Sequence, residues 1–287
     1  MTNLPSPDKK LSRRDFLKLA VTLTGSSVLA SCAPTAVQNE TAREKVSQTA
    51  TAMVPKTAEQ VLVENNAPPE VVNRTVSIKI SHGEFTRHGS GFILETIPIN
   101  KKNFALIATA GHTFTNENYE PIKITGIHIT QPQINNLDLV PDPSIPIYTS
   151  NYVNNPHQDF GFFLIQVHSI FEFSPLETFP DNSISNSENL YGLGFPSTGS
   201  ESTLTFEKIP YIIRPDQIQP QGSNEIILNQ ISSPGASGTV LINNRSQPKA
   251  IITDGKIGTL QAICSLFPPD YQTRRQSMID QMTISSH

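Results

Sequence analysis

From residue 71 onward, short apolar runs alternate with turn residues. That rhythm predicts an all-β domain. Candidate strands cover 75–81, 91–96, 104–109, 122–129, 160–167, 190–194, 203–213, 225–227, 239–242 and 250–253, and 260–266 is a further strand-like run. One late segment breaks the rhythm. Residues 270–282 are charged and free of Gly and Pro, so a C-terminal helix is expected there. The stretch 173–188 reads as a linker. It divides the domain into halves of about 71–170 and 189–268, each of a size to close as a small barrel.

The first seventy residues follow a different pattern. Ser12-Arg13-Arg14-Asp15-Phe16-Leu17-Lys18 matches the twin-arginine export pattern. The apolar stretch behind it, 19–29, is diluted by Thr22, Thr24, Gly25, Ser26 and Ser27, and is too short and too polar for a stable membrane span. It ends in Leu29-Ala30-Ser31-Cys32, which resembles a bacterial lipobox. Residues 1–31 therefore read as a signal peptide. Cys32 would become a lipidated first residue, anchoring the exported chain to the membrane of the cell envelope. The plainer alternative is an ordinary signal peptide with an incidental cysteine. Residues 32–70, rich in Ala, Thr, Glu, Gln, Asn and Pro, read as a flexible tether, with a short helix possible near 57–64.

Composition narrows the partners. The formal net charge is −4, which argues against a nucleic-acid partner. Only two cysteines are present, and Cys32 is taken by the lipobox. Cys264, in an apolar run, reads as a buried small hydrophobe, so the domain must hold together without a disulfide. No metal cluster, phosphate loop or nucleotide motif is visible, and no cofactor is expected.

Three segments carry candidate chemistry. Ser233-Pro234-Gly235-Ala236-Ser237-Gly238-Thr239-Val240 places a serine between small residues, ahead of an apolar strand. Glycines there let the backbone turn sharply and gather N–H groups at one spot, as an oxyanion requires. Ala108-Thr109-Ala110-Gly111-His112 sets a histidine just past a strand end. His157-Gln158-Asp159-Phe160 sets an acid ahead of another apolar strand. Together they supply a nucleophile, a general base and an acid to orient it. Taken singly, Ser237 is a turn serine and Asp159 a strand-capping acid. His157 rivals His112 as the histidine nearest in sequence to Asp159, and Asp138 and Asp142 are weaker acids.

In that order, His112, Asp159 and Ser237 resemble the trypsin-like (chymotrypsin-fold) serine peptidases. His88-Gly89-Ser90-Gly91-Phe92 and Tyr191-Gly192-Leu193-Gly194-Phe195-Pro196 are similar to two further strands of that family, and the likeness spans roughly 71–284. The resemblance implies two six-stranded β-barrels with a C-terminal helix, and peptide-bond hydrolysis by a Ser237-His112-Asp159 triad without a cofactor. It implies a polypeptide substrate. The oxyanion donors would be the backbone N–H groups of Gly235 and Ser237, with positive φ at Gly235. Ile231, Ser232, Thr253 and Asp254 become substrate-pocket candidates, suggesting a small or apolar residue before the cut. Two positions depart from the pattern. Ala236 stands where many members carry Asp or Asn, and Thr239-Val240 replaces Gly-Pro. They keep open a catalytically inactive fold that binds a peptide or envelope partner. The N-terminus alone would also suit a solute-binding lipoprotein, which the strand-turn pattern disfavours.

Overall fold

A computed structural model describes residues 55–284, apart from 117–119, 132–136, 140–146, 150–158, 168–172, 177–183, 186, 199–204, 207, 222–224, 230–234 and 257–260. The signal segment, Cys32 and the tether as far as residue 54 lie outside the described residues. So do Asp142, His157, Ile231 and Ser232.

Alternation builds the first sheet. In β1 (Thr75–His82), Val76, Ile78 and Ile80 are buried, while Ser77 is half-buried and Lys79 exposed. That is the period of two that a strand imposes on its side chains. β2 (Phe85–Ile99), β3 (Lys102–Thr109), β4 (Gly126–Thr130), β5 (Leu137–Leu139), β6 (Ile147–Thr149) and β7 (Gly161–Val167) join it in the antiparallel order β5-β4-β1-β2-β3-β7-β6. The second sheet contains β8 (Leu190–Gly194). A small ribbon of β9 (Ser197–Thr198) and β10 (Thr205–Phe206) follows. Then come β11 (Ile209–Ile213), β12 (Ile218–Pro220), β13 (Glu225–Leu228), β14 (Val240–Asn243), β15 (Pro248–Lys256) and β16 (Gln261–Leu266), giving the order β11-β8-β14-β15-β16-β13-β12. Two curled sheets and a C-terminal helix make the expected trypsin-like two-barrel fold, with seven strands in each sheet among the described residues where six were expected.

The central strands read as unbroken apolar runs because both of their faces are covered. On β3, Ala105 and Ile107 fill the first barrel, while Leu106 and Ala108 face a second cluster shared between the barrels. On β7, Phe163 and Ile165 point inward, and Phe162 and Leu164 join the shared cluster. β14 and β15 repeat the division from the other side. Leu241, Ala250 and Ile252 fill the second barrel, and Val240, Ile242 and Ile251 enter the shared cluster. Each buried Phe, Leu or Ile contributes about 1.5–3 kcal/mol, so the shared layer binds the barrels strongly.

Three helices close that layer. α1 (Ala58–Glu64) starts at Thr57, which forms a capping box with Gln60, and sinks Leu62 into the shared cluster. α2 (Glu70–Arg74) adds Val71. Residues 57–70, ahead of the expected boundary of 71, thus already pack on the domain, because this segment carries its own cap and core contacts. α3 (Tyr271–Ile284) buries Tyr271, Met278 and Met282, which lie on one face by helical spacing. Its Arg275 makes a bidentate pair with Glu95, which sits at an irregularity in the β2–β3 ladder. Cys264 is fully buried on β16, and burial, reinforced by the Glu225 charge, pushes its thiol pKa well above the ordinary range.

Candidate active site

β3 and β7 run antiparallel, with Thr109 opposite Gly161. This pairing brings the end of β3 beside the start of β7. The chain then enters a short 3₁₀ turn, Gly111–Phe114, that carries His112, while Asp159 lies two residues before β7. Asp159 Oδ2 meets His112 Nδ1 at 2.5 Å, and Asp159 Oδ1 accepts the His112 backbone N–H at 2.7 Å. The Asp159 N–H in turn donates to Ser265 Oγ at 2.8 Å, tying the acid to β16 of the second barrel. With the carboxylate ionised, the shared proton belongs on Nδ1 and Nε2 is left as the acceptor. Asp159 is 3% exposed, whereas the His112 side chain is 20% exposed, so the acid is sealed and the base reaches solvent.

Gly111 permits this approach. A Cβ there would lie 2.9 Å from the Phe160 carbonyl oxygen and 3.0 Å from Asp159 Oδ1. Arg87, on β2, steadies the turn from the other side by donating to the carbonyls of His112 and Thr115.

The serine loop comes from the second barrel and lies against the first. Gly235 and Gly238 take φ of +89° and +92°. The Gly238 N–H donates to Ile252 O at 2.7 Å, and Ile252 N–H returns a bond to Thr239 O at 2.8 Å. The Ser237 carbonyl accepts the Ser90 N–H at 2.8 Å. The Ser90 carbonyl accepts Thr109 Oγ1 at 2.7 Å, three residues before His112. Ser90 on β2 thus joins the Ser237 loop to the strand that delivers His112.

Ser237 Oγ donates to the Thr253 carbonyl at 3.0 Å. A hydroxyl has one proton, so aiming it at an imidazole gives up this bond to Thr253. Thr253 presents that carbonyl because the β15–β16 register shifts between Ile252 and Asp254, leaving Thr253 unpaired at a bulge. The Thr253 hydroxyl donates to Ile263 O at 3.2 Å, and Asp254 pairs with Ile263 in the ladder, so it sits in a strand and not a turn.

One of the two departures has a local explanation. Ala236 is fully buried in the second barrel's apolar core, where a carboxylate would be costly. Thr239 is fully buried as well, and its hydroxyl has no hydrogen-bond partner among the described residues.

Of the residues singled out in the sequence, His112 and Asp159 meet directly, and Gly235 and Ser237 share the docked loop. Sequence reasoning gave no role to Arg87, Thr109 or Ser265. Ser90 stood inside a recognised motif, yet only its strand was read. Among the described residues, no group of three or more His, Cys, Asp or Glu side chains is placed to hold a metal ion.

No protein-family model matches the chain, and no curated protein matches it in sequence. Solved structures do match its fold. Protease Anisep from Arthrobacter nicotinovorans aligns at a TM-score of 0.52 and 11% identity, covering 74% of this chain and 97% of that one. The thermostable serine protease AL20 from an extremophilic microorganism aligns at 0.50 and 12% identity, covering 76% and 99%. At such identities the likeness is one of fold: this chain shares the trypsin-like two-barrel architecture of these proteases.

Proposed function

We propose that this chain is an exported serine endopeptidase that hydrolyses peptide bonds through Ser237, His112 and Asp159. The observation that carries the reading is the two-point grip of Asp159 on His112, beside a barrel face against which the Gly-x-Ser-Gly loop is docked. Ser237 Oγ attacks the carbonyl carbon, and His112 Nε2 takes the hydroxyl proton and delivers it to the leaving amine. Water, activated by the same imidazole, then cleaves the acyl-enzyme. The Gly235 and Ser237 N–H groups stabilise the tetrahedral oxyanion. The substrate is a polypeptide with a small or apolar residue before the cut, and Cys32 carries a lipid anchor.

An alkyl fluorophosphonate tests this reading, because labelling needs both an activated hydroxyl and an oxyanion site. Mass spectrometry should find the adduct on Ser237. Ser237→Ala should abolish it, and His112→Ala should nearly do so. A second reading rests on the bond from Ser237 to the Thr253 carbonyl, which turns the hydroxyl proton away from a base. On that reading the chain is a silent trypsin-like fold that binds a peptide or envelope partner. A well-folded wild type that takes no label, from probes with varied leaving groups, would favour it.

A further inference from the structure

Building on the hydrolytic reading, we infer that Ser90 is a positioning residue that sets the two oxyanion donors. Every polar atom of Ser90 is engaged at the seam between the barrels. Its N–H donates to the carbonyl of Ser237 at 2.8 Å. Its Oγ donates to the carbonyl of Gly235 at 3.0 Å and accepts the N–H of Phe195, at the end of β8, at 2.9 Å. Its own carbonyl accepts Thr109 Oγ1 at 2.7 Å. The residues held by their carbonyls, Gly235 and Ser237, are the two whose N–H groups would meet the oxyanion.

The hydroxyl matters most at Gly235. With φ at +89°, this residue has the conformational freedom of glycine, and its neighbour Ala236 offers only a methyl group to the core. The bond from Ser90 Oγ restrains the peptide plane on the C-terminal side of Gly235. Ser90 is fully buried, so water cannot replace its hydroxyl at low cost. The Phe195 N–H, itself buried, fixes the hydroxyl's remaining lone-pair side, so the single proton is directed at Gly235. One side chain thereby couples the end of β8, the serine loop and β2. Its loss acts on transition-state stabilisation, because the donors are misaimed while the approach of the substrate is untouched.

The test is saturation kinetics of fluorophosphonate labelling, which separates the maximal rate kinact from the half-saturating concentration KI. Deleting an oxyanion donor outright costs about 10²–10³-fold. Misaiming one by Ser90→Ala should lower kinact roughly tenfold to a hundredfold, with KI unchanged. Ser90→Cys keeps a weak donor at the same atom and should fall between wild type and Ala. It also stands in should Ser90→Ala not fold. Thr75→Val is the control for lost stability. It deletes another buried hydroxyl bond, Thr75 Oγ1 to Val71 O at 2.5 Å, and should label at the wild-type rate. The role of Ser90 is overturned if its variants keep kinact within twofold, if the loss appears in KI, or if Thr75→Val is slowed equally. Those results leave the peptidase reading standing. A folded wild type that takes no label overturns the peptidase reading itself, and this inference with it.

Discussion

Asp159 holds His112 at two points, its Oδ1 accepting the backbone N–H at 2.7 Å and its Oδ2 facing Nδ1 at 2.5 Å. Each oxygen therefore has a separate task, which Asp159→Asn exposes. The amide can keep its oxygen on the backbone N–H, and its NH₂ then faces Nδ1. That forces the imidazole proton onto Nε2, where it cannot accept from a serine hydroxyl. Turnover of a peptide ester should fall by about 10⁴-fold with an unchanged circular-dichroism spectrum. Retention of activity within tenfold would mean that Asp159 does not orient the base.

Gly238 is the tightest point of the docked loop. A Cβ there would lie 1.9 Å from the Ser90 carbonyl oxygen and 2.4 Å from Thr109 Oγ1, on a backbone with φ of +92°. The strained backbone alone costs on the order of 1–3 kcal/mol for a residue with a side chain. The clash is with a backbone atom that cannot swing away. Gly238→Ala should therefore lose more than about 3 kcal/mol in urea unfolding, or leave the serine loop undocked. A loss below 1 kcal/mol would contradict the close approach.

Arg275 pins α3 to the first barrel through Glu95, whose side chain is 6% exposed. Removing one partner of a buried pair costs about 3–5 kcal/mol, because the other charge is left uncompensated. Arg275 is 22% exposed, which brings the expectation for Arg275→Ala to about 2–3 kcal/mol. The double variant Glu95→Gln with Arg275→Met should recover most of the loss. Equal unfolding midpoints for Arg275→Ala and wild type would show that the pair contributes nothing.

Strands buried on both faces were legible in the sequence, and so was the alternating β1, expected at 75–81 and found at Thr75–His82. β3 and β7 stand out as continuous apolar runs, and β8 at Leu190–Gly194 matches its expected bounds. β5, β6, β9 and β12 are two or three residues long and carry no periodic signal. β4 starts at Gly126, four residues later than the apolar pattern at 122 suggested. The sequence also hid the docking of residues 57–70, because the helix is short and its adjacent Val61, Leu62 and Val63, of which Leu62 alone is buried, mark no helical face. His112 and Asp159 could be paired through the order of their motifs. The work of Ser90, Arg87 and Ser265 could not, because it arises from contacts between segments far apart in the chain.

Export is the remaining expectation, and the fold bears on how to test it. Twin-arginine leaders suit proteins that fold before crossing the membrane, and this domain can do so. Cys264 is fully buried and is the one cysteine among the described residues, so no disulfide within them has to form before folding. Replacing Arg13 and Arg14 by Lys should leave the protein inside the cell in folded form. A thiol reagent reports that state. The buried Cys264, its thiol pKa pushed up by desolvation, should stay unlabelled until denaturant is added. Normal export of the Lys-Lys variant would sink the twin-arginine assignment, and rapid labelling of the retained protein would show that it had not folded. Cys32→Ser separates leader from anchor. It should abolish incorporation of radiolabelled palmitate, and a variant that still carried the label would place the lipid on another residue.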